Sequence, residues 1–247
     1  MLTKPLDRGE ISTLVSSPAA RITPLGEPFT MRFALLGDVH ASPHLAAALD
    51  FARDQRVDQV LCVGDLCDGP GSLPDTVALL RSQTAVSVLC VRGNHDRWLL
   101  EDRMRDFSDA HFVKDISEED RRWLAALPAV RELETGSSGG PTLVLAHGLF
   151  DNDMTFVRSH TTEHEVRDTP AWERGRKTFS RARWHVAGHT HERMVRTIDG
   201  LVMINAGTLH PAQDPGLVLF DTAEHFVRSF DVTREGAIVF RETLSLS

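Results

Sequence analysis

An α/β fold (α+β in its later half), with two sheets packed face to face and helices outside them, is what this chain predicts. Three observations carry it. Residues 31–97 alternate short apolar runs with helical spacing, residues beyond 184 form closely spaced short strands, and five polar clusters each close an apolar run. The clusters are Asp38-Val39-His40, Gly64-Asp65-Leu66-Cys67-Asp68, Gly93-Asn94-His95-Asp96, Ala146-His147-Gly148 and Gly188-His189-Thr190-His191.

Met31–Gly37 reads as a strand, so the first cluster sits at a carboxyl end, where open α/β sheets place their chemistry. Pro43–Arg56 has helical spacing at Leu45, Ala48, Leu49 and Ala52, with Pro43 suited to a first helical turn. Val57–Val63 leads into the second cluster, Leu73–Gln83 is a second amphipathic helix, and Val86–Val91 leads into the third. Such alternation implies right-handed βαβ units and a largely parallel sheet.

After Arg97 the pattern changes. Ser117 followed by three acids and then Trp123, Leu124 and Leu127 marks a capped helix. Leu133 and Leu143–Ala146 flank Gly136–Gly140, which has the composition of a hairpin loop. Residues 151–183 are a polar insertion, expected to be helical around Trp172–Arg183. Strands follow at His185–Ala187, Met194–Ile198, Leu201–Asn205, Leu217–Asp221, Phe226–Val232 and Ala237–Arg241, with Asp199-Gly200 as a two-residue hairpin signal. Residues 1–30 read as an N-terminal extension, and 31–247 as one domain.

Composition narrows the function classes. A net charge of −8 argues against a dedicated nucleic-acid surface, which needs a basic footprint. No apolar stretch approaches the roughly 18 residues of a membrane span, and no secretory signal is visible. Cys62, Cys67 and Cys90 are odd in number, and two lie in strand runs. They read as reduced structural thiols of a cytoplasmic protein.

Asp, His and Asn together offer the oxygen and nitrogen donors that suit divalent first-row metals. A strand-end Asp-x-His puts carboxylate and imidazole on the same side of the pleat, and His189 and His191 repeat that spacing. Asp65 can use both carboxylate oxygens, and Asn94 adds a neutral one. Two ions about 3.5–4 Å apart can hold an anionic ester and activate a water for in-line attack. The residues themselves point to a metal-dependent hydrolase.

The ordered set resembles the calcineurin-like metallophosphoesterase superfamily, whose pattern runs DxH, GDxxD, GNH(D/E), a lone His before Gly, and GHxH. All five motifs are present over residues 38–191, and Asn205-Ala206-Gly207-Thr208 resembles a motif that often follows. The resemblance implies a four-layer α/β/β/α sandwich of two mixed β-sheets flanked by helices. It implies two divalent metal ions (Mn, Fe, Zn, Co or Ni) and a small phosphate-ester substrate, monoester or diester. Asp38, His40, Asp65 and His191 would bind the first ion, and Asp65, Asn94, His147 and His189 the second. His95 would protonate the leaving oxygen, oriented by Asp96, while Asp68 would hold a ligand histidine.

The sequence also departs from parts of that family. It has no tyrosine, which excludes the tyrosinate-iron site of purple acid phosphatases. Gly69-Pro70 follows Asp68 where phosphoprotein phosphatases carry an arginine, so that phosphate clamp is missing. Two further classes compete with the enzyme: a scaffold that keeps the fold without turnover, like the retromer's phosphoesterase-like subunit, and a nuclease for short single strands. Scaffolds of this kind usually lose ligands, and all are kept here.

Other polar residues have blander expectations. His160-Thr161-Thr162-Glu163-His164 matches H-x-x-E-H yet lies in the polar insertion, and solvated side chains are expected. His44, His111, His185 and His225 are expected to be surface or core histidines, and His210 is a candidate to line the pocket. Arg92 and Arg97 are expected in ion pairs. Asn152 and Asp153 are either turn formers or substrate contacts.

Overall fold

Side-chain alternation along the central strands decides the layering. In Arg32–Leu36, Phe33 and Leu35 enter one buried cluster, while Ala34 and Leu36 enter another on the opposite face. Period-2 alternation of this kind gives a sheet buried on both sides. The computed structural model describes residues 30–136 and 139–246. Almost all of the expected N-terminal extension, residues 1–29, therefore lies outside the described residues.

The strands, in chain order, are β1 (Arg32–Leu36), β2 (Gln59–Cys62), β3 (Ser87–Cys90), β4 (Val130–Glu134), β5 (Thr142–Ala146) and β6 (Ala182–Ala187). They continue with β7 (Arg193–Ile198), β8 (Leu201–Ala206), β9 (Gly216–Asp221), β10 (Phe226–Val232) and β11 (Ile238–Ser245). The helices are α1 (Leu45–Asp54), α2 (Leu73–Arg81), α3 (Asn94–Leu100), α4 (Glu118–Ala126), α5 (Glu163–Arg167) and α6 (Pro170–Thr178).

One sheet runs β11-β10-β9-β1-β2-β3 and the other β4-β5-β6-β8-β7. Only the β1–β2 and β2–β3 pairs are parallel in the first sheet, because β9 joins β1 antiparallel and β10 and β11 continue in antiparallel pairs. In the second, β5, β6 and β8 are parallel and the edge strands β4 and β7 are antiparallel. Both sheets are thus mixed. Phe33, Leu35, Leu61 and Val63 meet Leu143, Leu145, Trp184, Val186 and Ile204 between the sheets. Leu45, Leu73, Leu99 and Leu124 of α1–α4 cover the outer face of the first sheet. Val166, Ala171 and Trp172 of α5 and α6 cover the second. The result is the four-layer α/β/β/α sandwich.

Local chemistry sets the element ends. Ser72, Ser117, Thr162 and Thr169 each accept a hydrogen bond from a first-turn amide as helix N-caps. Asp199 and Gly200 both have positive φ (47° and 73°) and close the β7–β8 hairpin. Two expectations shift. Pro43 stands ahead of α1, which is capped at His44. The helix expected through Arg183 stops at Thr178, since Ala182 already pairs with Thr142 in the second sheet.

Candidate metal centre

The five clusters meet at the carboxyl ends of β1, β2, β3, β5 and β6, and those after β1, β2 and β6 sit on left-handed turns. His40, Asp65, Asp68, His189 and His191 all have left-handed φ, between 47° and 68°. Such positions cost of order 1–3 kcal/mol each and gather at functional sites. Close approach explains two of the motif glycines. A Cβ on Gly93 would lie 2.0 Å from the Asp65 carboxylate, and one on Gly188 would lie 2.6 Å from that of Asp38.

Two groups of donor atoms converge. Asp38, His40 and His191 form one, and Asp38, Asp65 and His147 the other, each within 4.8 Å. Asp38 therefore stands in both, with its two oxygens accepting the His189 amide at 3.0 and 2.9 Å. Asn94 Oδ1 lies 2.8 Å from both His147 Nε2 and His189 Nδ1. Asp65 Oδ2 is 3.3 Å from His147 Nε2. All seven expected ligands are brought together.

Hydrogen bonds fix the tautomers. His40 Nδ1 donates to the carbonyl oxygen of Asp68 (2.7 Å), and His147 Nδ1 to that of Val63 (3.0 Å). His191 Nδ1 faces Gln213 Oε1. The Nε2 atoms of His40 and His191 thus present lone pairs to each other at 3.1 Å. His147 Nε2 likewise presents a lone pair to two oxygens, on Asn94 and Asp65. Acceptors facing acceptors repel unless a cation lies among them, so these residues fit divalent metal.

Electrostatics agree. Burial pushes Asp38 up to about 6, against the opposing pull of His191 and the His189 amide. Asp65 is raised well above the usual carboxylate range by burial and by Asp38 and Asp96. Burial lowers His40 to about 3 and His189 to about 4, and it also holds His147 well below the usual imidazole range. Neutral imidazoles and costly buried carboxylates are what a bound cation relieves.

His95 sits beside this cluster on the first turn of α3, its side chain 24% exposed. Its amide donates to Asp65 Oδ1 (2.9 Å) and its Nδ1 meets Asp68 Oδ2 at 2.8 Å. This corrects two expected roles. Asp96 does not hold the His95 ring. It is fully buried and accepts the amides of Leu66, Cys67 and Gly93, which locks the second motif against the start of α3. The carboxylate of Asp68 holds His95, and only its backbone carbonyl holds His40. The one-residue step from His95 to Asp96 turns the Asp96 side chain back onto its own helix end as an N3 cap.

Arg105 was not singled out in the sequence, because the 101–112 segment has neither motif nor periodicity. Its guanidinium grips Asp68, and His111 adds its amide to Asp68 Oδ1 at 2.9 Å. Burial alone would raise Asp68, but hydrogen bonds from His95, Arg105 and the His111 amide hold it below the usual range.

Most of the blander expectations fit the structure, but Arg92, expected in an ion pair, instead donates to the Ala125 carbonyl at 3.5 Å. Arg97 pairs with Asp153 through two hydrogen bonds (2.7 and 3.1 Å), while Asn152 Oδ1 caps its own turn. The His164 side chain is 84% exposed. His210 lines the site, its ring 5.7 Å from that of His40. All three cysteines are free and buried. No helix among the described residues is long and apolar enough to cross a membrane.

A family model for the calcineurin-like phosphoesterase superfamily domain matches residues 31–225. Among solved structures, the chain is similar to a metallophosphoesterase from Sphaerobacter thermophilus (TM-score 0.59, 20% identity, 83% of this chain and 88% of that one). It is similar to YfcE, a phosphoesterase from E. coli (TM-score 0.51, 16% identity, 88% and 100%). It is also similar to Vps29 from Entamoeba histolytica, solved with zinc (TM-score 0.51, 17% identity, 88% and 100%). At these identities the likeness is one of fold. No curated protein sequence matches the chain.

Proposed function

The chain belongs to the calcineurin-like phosphoesterase superfamily, and we propose that it is a dinuclear-metal-dependent hydrolase of a phosphomonoester or phosphodiester. Asp38, His40, Asp65 and His191 hold one ion, and Asp65, Asn94, His147 and His189 the other. Bound divalent ions supply charge neutralisation and a water of lowered pKa. N/O ligation without thiolate suits Mn, Fe, Zn, Co or Ni. His95 gives its proton to the leaving oxygen from Nε2, while Asp68 anchors Nδ1 and so aims the ring. Asp96 keeps the loop and helix carrying these groups in register. The unit that does this is residues 31–247, one domain with an insertion at 151–183, and its three free buried cysteines suit a reducing cytoplasm.

The observation that carries the reading is the lone-pair-to-lone-pair approach of His40 Nε2 and His191 Nε2 at 3.1 Å, with both Nδ1 atoms committed to oxygen acceptors. The test is hydrolysis of p-nitrophenyl phosphate and bis-p-nitrophenyl phosphate by protein that is chelated and then metal-reconstituted. Turnover that returns with metal supports the reading, and the ratio of the two rates gives the ester class. Two tightly bound metals with no turnover of either ester would instead favour a scaffold.

A further inference from the structure

Exposed apolar side chains are ordinary when scattered and informative when gathered. Seven large hydrophobics are exposed among the described residues, and five of them, Met104, Phe107, Phe112, Met154 and Phe156, lie on two loops. One loop follows α3 and the other follows His147. Both reach the candidate centre. The Phe107 ring is 5.7 Å from that of His95, and Trp98 is 4.8 Å from it on the same helix turn. The Phe156 ring stacks on His189 at 5.2 Å, with planes 28° apart.

These rings are held in place. Arg105 lies 5.5 Å from the Phe107 centroid and Arg158 lies 5.2 Å from that of Phe156, both cation–π range. The Arg97–Asp153 pair ties α3 to the loop that carries Phe156. Charge around them is already committed. Arg105 is spent on Asp68, Arg97 on Asp153 and Arg103 on Glu101, while Asp102, Asp106 and Asp109 leave the first loop acidic. A second phosphate or a carboxylate on the substrate would meet no uncommitted cation on that loop.

We propose that the ester hydrolysed here carries a neutral aromatic group, seated against Phe107 and Trp98 as it leaves and flanked by Phe156. This rests on the phosphoesterase reading above. A leaving oxygen within hydrogen-bond reach of His95 Nε2 brings its substituent to the rings that touch His95. There an aromatic group gains stacking and edge contacts that a sugar or a short polar alcohol lacks.

The test holds leaving-group acidity constant and changes shape. 1-Naphthyl phosphate and hexafluoroisopropyl phosphate are esters of alcohols of similar acidity, and each is assayed as monoester and as methyl diester. The metal-loaded protein should favour the naphthyl ester by roughly tenfold or more in kcat/KM. Phe107→Ser should collapse that preference, with kcat/KM falling far more for the naphthyl ester than for the hexafluoroisopropyl ester, and Phe156→Ser should reduce it. Equal kcat/KM for the two esters in the parent protein would overturn the proposal, as would a preference untouched by both substitutions. Binding gives a second readout that needs no turnover: calorimetry should find phenylphosphonate bound more tightly than methylphosphonate, with the difference lost in Phe107→Ser. Absent turnover of every ester would sink the phosphoesterase reading, while the phosphonate pair would still decide the aromatic seat. Equal phosphonate affinities would overturn that seat.

Discussion

Arg105 holds Asp68 through two parallel hydrogen bonds of 2.8 Å, one from each terminal guanidinium nitrogen to each carboxylate oxygen. Both side chains are nearly buried, at 7% and 0% exposure. A bidentate fork of this kind fixes orientation as well as charge. Because Asp68 Oδ2 also meets His95 Nδ1 at 2.8 Å, the fork sets the plane in which the imidazole points at the cluster.

Arg105→Gln should therefore act through alignment. Leaving-group protonation is worth roughly 10²–10⁴-fold. Misaligning the acid without removing it should forfeit a part of this, on the order of tenfold, for phenyl phosphate. p-Nitrophenyl phosphate should lose less, since its phenolate departs without a proton. The comparison of kcat across the two esters checks this. Equal losses would leave Arg105 a purely structural role.

His95→Ala removes the proposed acid itself. Turnover of phenyl phosphate should fall by roughly 10²–10⁴-fold, with metal content by elemental analysis near that of the parent. His95 is outside both converging donor groups, which is why the two readouts separate. Unchanged turnover would end its assignment.

Much of this site was legible before the fold because each motif pairs an apolar run with donors at a strand end. His189 and His191, two residues apart, are an example: only the turn after β6 was needed to bring them onto Asp38. The separate duties of Asp68 and Asp96 were not legible. Both are acids beside a motif residue, and which one meets His95 depends on Asp68 having φ 64° and on Asp96 capping α3. Arg105, Phe107 and Phe156 come from loops whose composition signals only exposure. Their use follows from tertiary contacts with Asp68, His95 and His189. The end of α6 was missed for a related reason: pairing with β5 claims Ala182 for the sheet against a pattern that also suits a helix.

Asp65→Asn should have opposite effects on the metal-free and metal-loaded protein. Asp65 is 2% exposed and close to Asp38, so its charge burdens the metal-free fold and neutralising it should raise the melting temperature with chelator present. With metal the same change removes an anionic donor proposed to serve both ions. A ligand at about 100 times its Kd contributes about 2.7 kcal/mol, and most of that metal-induced gain should vanish. Scanning calorimetry with and without chelator reads both signs. A full metal-induced rise in the variant would count against Asp65 as a ligand.

His185 gives a prediction about acid. It is fully buried on β6, where its Nε2 accepts the Phe150 amide at 3.0 Å and its Nδ1 has no partner among the described residues. Protonation would put a second donor against that amide and a charge in an apolar cluster, and burial lowers its pKa from 6.5 to about 4. The folded value lies below the unfolded one, so its stabilising effect is complete above pH 6.5 and is lost as pH falls toward 4. At roughly 1.4 kcal/mol per pKa unit, the loss is about 3 kcal/mol. Because the residue is not among the proposed metal ligands, the effect should persist in metal-loaded protein. His185→Gln offers the amide an acceptor that does not titrate in this range. Urea unfolding of the two proteins between pH 7 and pH 4.5 should show the parent losing stability faster. Parallel pH profiles would mean that His185 is already protonated in the fold or that its site admits water freely.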